Sequence, residues 1–180
     1  LPGKTIGLIG FGNIGTRVAT RARGFGMRIL VYDPYVSKEV KEESEVEFVD
    51  LDIVMSESDF VSIHARATNE NIGLIGEEQI RLMKKKSILI NTARASLVDY
   101  SALYDALKDR RILGAALDVY PEEPVDPNSP LLKLDNVTLT PHLAGTTQEV
   151  PLRGVRIVLE DVGRYLQGEP LKHVQNPEVL

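Results

Sequence analysis

Four side chains in the second half of the sequence have the types needed to work together on a small acid. Arg94 follows the apolar run "SILI", Asp118 closes "LGAALDV", Glu123 sits in a proline-rich stretch and His142 follows "NVTLTP". An arginine can hold a carboxylate in its planar fork and polarise a carbonyl beside it. A histidine backed by a glutamate can donate a proton near neutral pH. Two of them have plainer alternatives: a histidine after proline as a structural residue, and Glu123 as a solvated loop acid.

A second group lies near the start. Gly10, Gly12 and Gly15 form G-x-G-x-x-G directly after the strand-like "TIGLI", and Asp33 closes the next strand-like run, "RILVY". Alone the glycine pattern is weak. With a strand before it, a helix after it and an acid at the end of the second strand, it has the context of a dinucleotide site. Such glycines let the backbone approach a pyrophosphate at a helix amino end, while Asp33 can accept from a ribose hydroxyl. A carboxylate there would repel a 2′-phosphate, which favours NAD over NADP.

The elements that must position these groups are readable from periodicity. Strand-like runs fall at Thr5–Ile9, Arg28–Tyr32, Asp59–His64, Ser87–Asn91, Leu113–Val119 and Asn136–Thr140. Helix-like stretches lie between them at Asn13–Phe25, Glu77–Met83 and Ser101–Lys108, the last with Asp99 as its cap. The alternation predicts an α/β fold, a doubly wound parallel sheet of Rossmann type in three αβα layers. In such a sheet every strand ends on one edge, so Arg94, Asp118 and His142 project to the same edge as the glycine loop. Hydride transfer between a nicotinamide and a keto acid needs a carboxylate grip and a proton donor, and the edge offers both.

Thr146 with Glu149 reads as a capping box for a last helix that Gly168 and Pro170 stop. Pro151 and Gly154 predict a bend or a late start. Between Tyr120 and Leu134 four prolines mark an ordered functional loop. His64, on the same edge, is expected to make a structural hydrogen bond, and His173 is read as a tail residue without a role.

Bulk properties bound the rest. The chain has 180 residues, 43% hydrophobic, a net charge of −5 and no cysteine. Disulfides and thiolate metal sites are excluded, and no metal site is read. With no basic stripe, no long apolar span and no signal-like segment in "LPGKTIGLIG", a cytoplasmic protein acting on a small molecule is expected, with no nucleic acid and no membrane as partner.

In order along the chain, "GKTIGLIGFGNIG", "YDP", "NTAR", "LVD", "GAALDVYPEEP", "NVTLTPH" and "NPEVL" resemble the NAD-binding domain of the D-isomer-specific 2-hydroxyacid dehydrogenases, of phosphoglycerate dehydrogenase type. The resemblance implies an NAD-dependent oxidoreductase interconverting a D-2-hydroxy acid and a 2-keto acid. Phosphoglycerate, glycerate, glyoxylate and lactate types all fit. By resemblance Arg94 binds the substrate carboxylate and carbonyl, His142 is the general acid/base, and Glu123, the glutamate directly before proline, hydrogen-bonds His142. Glu122 is its competitor for that role.

The resemblance further implies that Asn13 and Ile14 meet the pyrophosphate and Asp33 the adenosine ribose. Ala65, Thr92, Ala93 and Arg94 would line the cofactor, Asp118 would lie near the carboxamide, and His142, Ala144 and Gly145 would close around the nicotinamide. A second reading is a non-enzymatic NAD sensor like the family's corepressors.

The sequence departs from the family pattern at Ala95, where glycine is usual after the arginine. It departs also at "HARAT", where Arg66 could contact adenosine or a cofactor phosphate, or simply be solvated. The resemblance divides the chain into an NAD-binding domain, residues 1–167, and a tail, residues 168–180, that returns to a smaller substrate domain, most of which is missing from these residues. On that basis the 180 residues alone are expected to bind NAD with little or no turnover, and the intact protein to be a homodimer.

Overall fold

The computed structural model describes residues 1–179. They form two compact units, residues 1–142 and 143–179.

In the first unit, strands β1 (Thr5–Ile9), β2 (Arg28–Tyr32), β3 (Glu47–Phe48), β4 (Phe60–Ile63), β5 (Ile88–Asn91), β6 (Gly114–Leu117) and β7 (Val137–Leu139) make one sheet. Its order is β3-β2-β1-β4-β5-β6-β7, and every pairing is parallel. The chain builds outward from β1 through β2 to β3, then returns to the other side of β1 with β4. The crevice between the carboxyl ends of β1 and β4 is thus the point where strand order reverses, the usual ligand site of an open parallel sheet.

Helices α1 (Asn13–Gly24), α2 (Lys38–Glu43), α3 (Leu51–Glu57), α4 (Glu77–Leu82) and α5 (Tyr100–Lys108) provide the crossovers. The period of two along a strand explains how both faces become covered. Ile6 and Leu8 of β1, with Ile29 and Val31 of β2, pack in a cluster with Ala19 and Ala22 of α1. Leu30 belongs instead to the larger cluster, with Val54 and Met55 of α3, Val61, Leu89 and Leu103. Gly7 lies close under α3: a Cβ there would come within 2.6 Å of Val54 Cγ1 and 2.3 Å of Ser58 Oγ.

The doubly wound parallel sheet agrees with the sequence, and six of its seven strands fall within the expected runs. The region before β4 holds three further elements, β3, α2 and α3, that periodicity did not indicate. Asp99 does cap α5, its Oδ1 accepting from the Ser101 and Ala102 N–H groups at 2.9 and 3.1 Å.

The second unit carries α6 (Glu149–Leu166). Its start corrects the capping-box reading. The N-cap is Gln148, with no side-chain cap, and the Glu149 carboxyl is instead held below its ordinary range by the Thr147 hydroxyl. The late start suits Pro151, which then falls in the first turn, where an N–H has no intrahelical acceptor. The exit is as expected: Gly168 is left-handed at φ 69°, and the Gly168 and Glu169 N–H groups donate to the Tyr165 and Arg164 carbonyls. Beyond it Asp161 accepts from the Lys172 and His173 backbone N–H groups, at 2.9 and 3.0 Å. Among the described residues no helix is long and apolar enough to cross a membrane.

Candidate active site

The glycine loop is shaped by steric exclusion. Gly10 adopts φ 98°, a conformation that L side chains rarely take, and a Cβ there would lie 2.5 Å from the Ala65 backbone nitrogen. A Cβ on Gly15 would lie 2.2 Å from the Gly10 carbonyl oxygen. Gly12 differs, since a Cβ there would meet nothing within 4 Å. The chain itself does not require glycine at this position, but close approach of a ligand to the start of α1 does. An open cradle at a helix amino end, where N–H groups lack intrahelical acceptors, fits a pyrophosphate. Asn13 and Ile14 begin that helix, and Ile14 is exposed.

Asp33 stands at the carboxyl end of β2 with its carboxylate held in place. Oδ2 accepts from the Phe11 N–H at 2.7 Å and Oδ1 from the Tyr35 N–H at 2.9 Å. One hydrogen bond on each oxygen leaves acceptor capacity for a ribose diol. Gly10, Gly12, Asp33, His64 and Ala65 line a common cleft of about 450 Å³. His64 has Ser62 Oγ 2.9 Å from its Nε2, the structural bond expected of it, and burial pushes its pKa down.

The β5 end carries Thr92, Ala93 and Arg94 on a loop tied down by Asn91. That side chain is fully buried; its Oδ1 accepts from the Ala93 N–H at 3.1 Å and its Nδ2 donates to the Arg94 carbonyl at 3.0 Å. Arg94 itself is exposed, with Nη1 donating to the Ala93 carbonyl at 2.7 Å. Sequence reasoning quoted Asn91 but gave it no part. A buried asparagine that ends a strand just before a loop is a known former of backbone-mimicking turns, and that was the available signal.

At the far end the proline loop returns Glu123 to His142. Glu123 Oε2 lies 2.8 Å from His142 Nδ1, and Oε1 accepts from the Tyr120 N–H at 3.0 Å. These bonds, the one to His142 first, hold the Glu123 carboxyl below its ordinary range. It is therefore an acceptor at neutral pH, which requires the proton on His142 Nδ1. Tyr120, whose hydroxyl donates to the Thr140 and Leu117 carbonyls at 2.8 and 3.1 Å, fastens the loop to the sheet. His142 has φ 54°, a left-handed backbone that histidine tolerates better than most residues. Its N–H donates to the Thr140 carbonyl across Pro141.

Asp118 is buried at the end of β6 and accepts from the Thr140 hydroxyl. Ala144 and Gly145 lie in the turn that the Thr146 N–H closes onto the Leu143 carbonyl at 2.9 Å, in the second unit. Arg94, Glu123 and His142 all line one cleft of about 730 Å³. Three groups from three separate strand ends are thus brought together.

A doubly wound parallel sheet with an open glycine cradle at its switch point, and a carboxylate fixed at the end of the second strand, defines an NAD-binding domain. The family model for the NAD-binding domain of D-isomer specific 2-hydroxyacid dehydrogenases matches residues 1–144, and the chain belongs to this family. It is 47% identical over 178 residues to a glyoxylate reductase of Korarchaeum cryptofilum, covering 99% of this chain and 54% of the relative. It is 48% identical over 177 residues to a D-3-phosphoglycerate dehydrogenase of Methanocaldococcus jannaschii, covering 98% of this chain and 34% of that one. A crystal structure of D-lactate dehydrogenase with NAD+ from Lactobacillus jensenii superposes with a TM-score of 0.86 at 36% identity, over 95% of this chain and 55% of that one. The chain therefore spans roughly a third to a half of the length of these relatives.

Proposed function

We propose that the protein to which these residues belong interconverts a D-2-hydroxy acid and its 2-keto acid, with Arg94 gripping the carboxylate, His142 moving the proton and Glu123 holding the imidazole. The observation that carries this reading is the single cleft shared by Arg94, Glu123 and His142, with Nδ1 committed to Glu123 at 2.8 Å. That commitment leaves Nε2 as the ring nitrogen for the substrate.

NADH, when bound, would supply a hydride for reduction of the carbonyl. His142 Nε2–H gives its proton to the carbonyl oxygen, and Nε2 takes the proton back from the hydroxyl when the reaction runs as an oxidation. Glu123 stabilises the imidazolium and fixes the ring by accepting from Nδ1–H. Arg94 holds the carboxylate bidentately and so sets which face of the carbonyl is presented.

Gly10, Gly12, Asn13, Ile14 and Gly15 would hold the phosphates of a bound dinucleotide, and Asp33 its adenosine ribose. Ala65, Thr92, Ala93 and Arg94 would lie along the cofactor and Asp118 near its carboxamide, with His142, Ala144 and Gly145 closing around the nicotinamide. Because a 2′-phosphate would sit against the Asp33 carboxylate, NAD is preferred to NADP. The intact protein is a cytoplasmic homodimer whose substrate domain, reached by the tail at residues 168–180, completes the cleft; residues 1–180 alone bind NADH but turn over slowly.

The relatives act on glyoxylate, phosphoglycerate and lactate by their names, so the reading stops at the 2-keto acid class. The test is a screen of 2-keto acids against the full-length protein with NADH and NADPH. Reduction of at least one acid, faster with NADH, is expected, with no reduction of matched ketones that lack the carboxylate. Failure with every acid overturns the proposal.

A further inference from the structure

Arg66 is the cation on the strand edge that the chemistry above leaves without a role. It follows β4 directly after His64 and Ala65, is exposed, and its carbonyl accepts from Asn71 Nδ2 at 2.8 Å. Among the described residues no ion pair to its guanidinium is present, and its backbone is fixed while its charge is left uncompensated.

Two clefts share Arg66 as a wall. One, of about 450 Å³, contains Gly12 and Asp33; the other, of about 430 Å³, contains Ile14, Thr92 and Arg94. Only His64 and Ala65 are common to both besides Arg66. Asp33 marks where the adenosine ribose belongs, and Arg94 marks the nicotinamide end. A wall common to both clefts therefore stands at the middle of an extended dinucleotide, where its two phosphates lie.

The charge pattern agrees with the position. The second cleft is lined by two arginines and no carboxylate, and it includes Ile14 in the first turn of α1, whose N–H groups favour an anion. Both arginines are exposed, and among the described residues neither guanidinium is held in an ion pair. A diphosphate compensates them and matches the planar fork of arginine.

We propose that Arg66 is a diphosphate clamp, holding the cofactor's pyrophosphate from the β4 side while the glycine loop holds it from the β1 side. The clamp rests on the dinucleotide site and not on the acid/base reading, so either can fail without the other.

The test uses the full-length protein and its Arg66→Leu and Arg66→Lys variants, titrated with NADH, ADP and adenosine. Circular dichroism melting serves as a check on folding. Loss of a guanidinium–phosphate pair should weaken NADH and ADP about ten-fold in Arg66→Leu, with less loss as salt is raised. Adenosine, which has no phosphate, should bind all three proteins equally. Arg66→Lys should recover part of the loss, because it keeps the charge but not the fork.

Unchanged NADH and ADP affinity in Arg66→Leu would overturn the clamp. So would an equal loss for adenosine, which would mean that Arg66 only shapes the cleft. In the full-length protein, unchanged NADH binding with a raised KM confined to a phosphorylated 2-keto acid would assign the arginine to a substrate phosphate, and this too would overturn it.

Discussion

The two ends of the strand edge are built from different materials. Around β1, β2 and β4 the shape is backbone, with Gly10 and Gly15 so tightly fitted that a single added carbon would strike main-chain atoms. Around β5, β6 and β7 it is side chain: Arg94, Glu123 and His142 reach the cleft with much of their surface exposed, each set by only a few hydrogen bonds. The cofactor end is thus enforced by what the folded chain excludes. The acid/base end is enforced by partners that could be removed without collapsing the sheet. Changes at the first should register in folding, and changes at the second in chemistry.

The largest expected effect is at Gly15. Gly15→Val places a Cβ 2.2 Å from the Gly10 carbonyl oxygen, a main-chain atom that cannot swing aside. A loss of several kcal/mol in unfolding free energy is expected, visible as a large drop in the denaturant midpoint. A midpoint like that of wild type would break the contrast outright.

Gly12→Ala sharpens the contrast from within the same loop. Its Cβ meets nothing in the chain within 4 Å, so the melting temperature should hold while NADH affinity falls by about ten-fold or more. An Ala variant binding NADH as well as wild type would remove Gly12 from the pyrophosphate seat.

Asn91→Ala tests whether the acid/base end also has a stiff component. Removing the buried amide leaves the Ala93 N–H and the Arg94 carbonyl without their partner, at a cost of about 1–3 kcal/mol. KM for the keto acid should rise more than kcat falls, because Arg94 loses its setting. An unchanged KM would show that the loop holds itself.

The smallest stability effect should come from Glu123→Gln, which is exposed and isosteric: little change in melting temperature, with kcat lower by about ten-fold. The pair also has a direction in pH. Its hydrogen bonds hold the Glu123 carboxyl below 4.5, so the contribution of the pair is fully present above that value and is lost as pH falls through the lower folded one. A carbon-detected titration of this carboxyl with a midpoint at or above 4.5 would contradict the contact.

The fold was legible where a strand is buried on both faces, since continuous branched apolar runs such as those of β1, β2 and β5 have few other destinations. Two of the missed elements, β3 and α2, lie where that pressure is absent. β3 has only Glu47 and Phe48, paired with Leu30 and Val31 at the sheet margin, and α2 buries no residue. The α6 cap misled for a related reason: the S/T-x-x-E spacing at Thr146 and Glu149 is present, but Pro151 favours a first turn that begins later.

In the site, residues announced by chemical type were legible: the glycines, Asp33, Arg94, Glu123 and His142. Asn91 was not, because its work is to hydrogen-bond main-chain groups two and three residues on, and only its type at a strand end hints at such a turn. Arg66 was legible as a contact to adenosine or a cofactor phosphate or as a solvated residue, but its place between two clefts was not. It depends on β4 returning beside β1, a neighbour relation set by sheet order and not by sequence distance.

The most direct test of the account is His142→Ala in the full-length protein, with keto-acid reduction and NADH titration measured on the same preparation. The account predicts that kcat/KM falls by about 100-fold or more while the NADH titration midpoint is unchanged. Reduction at the wild-type rate would contradict it.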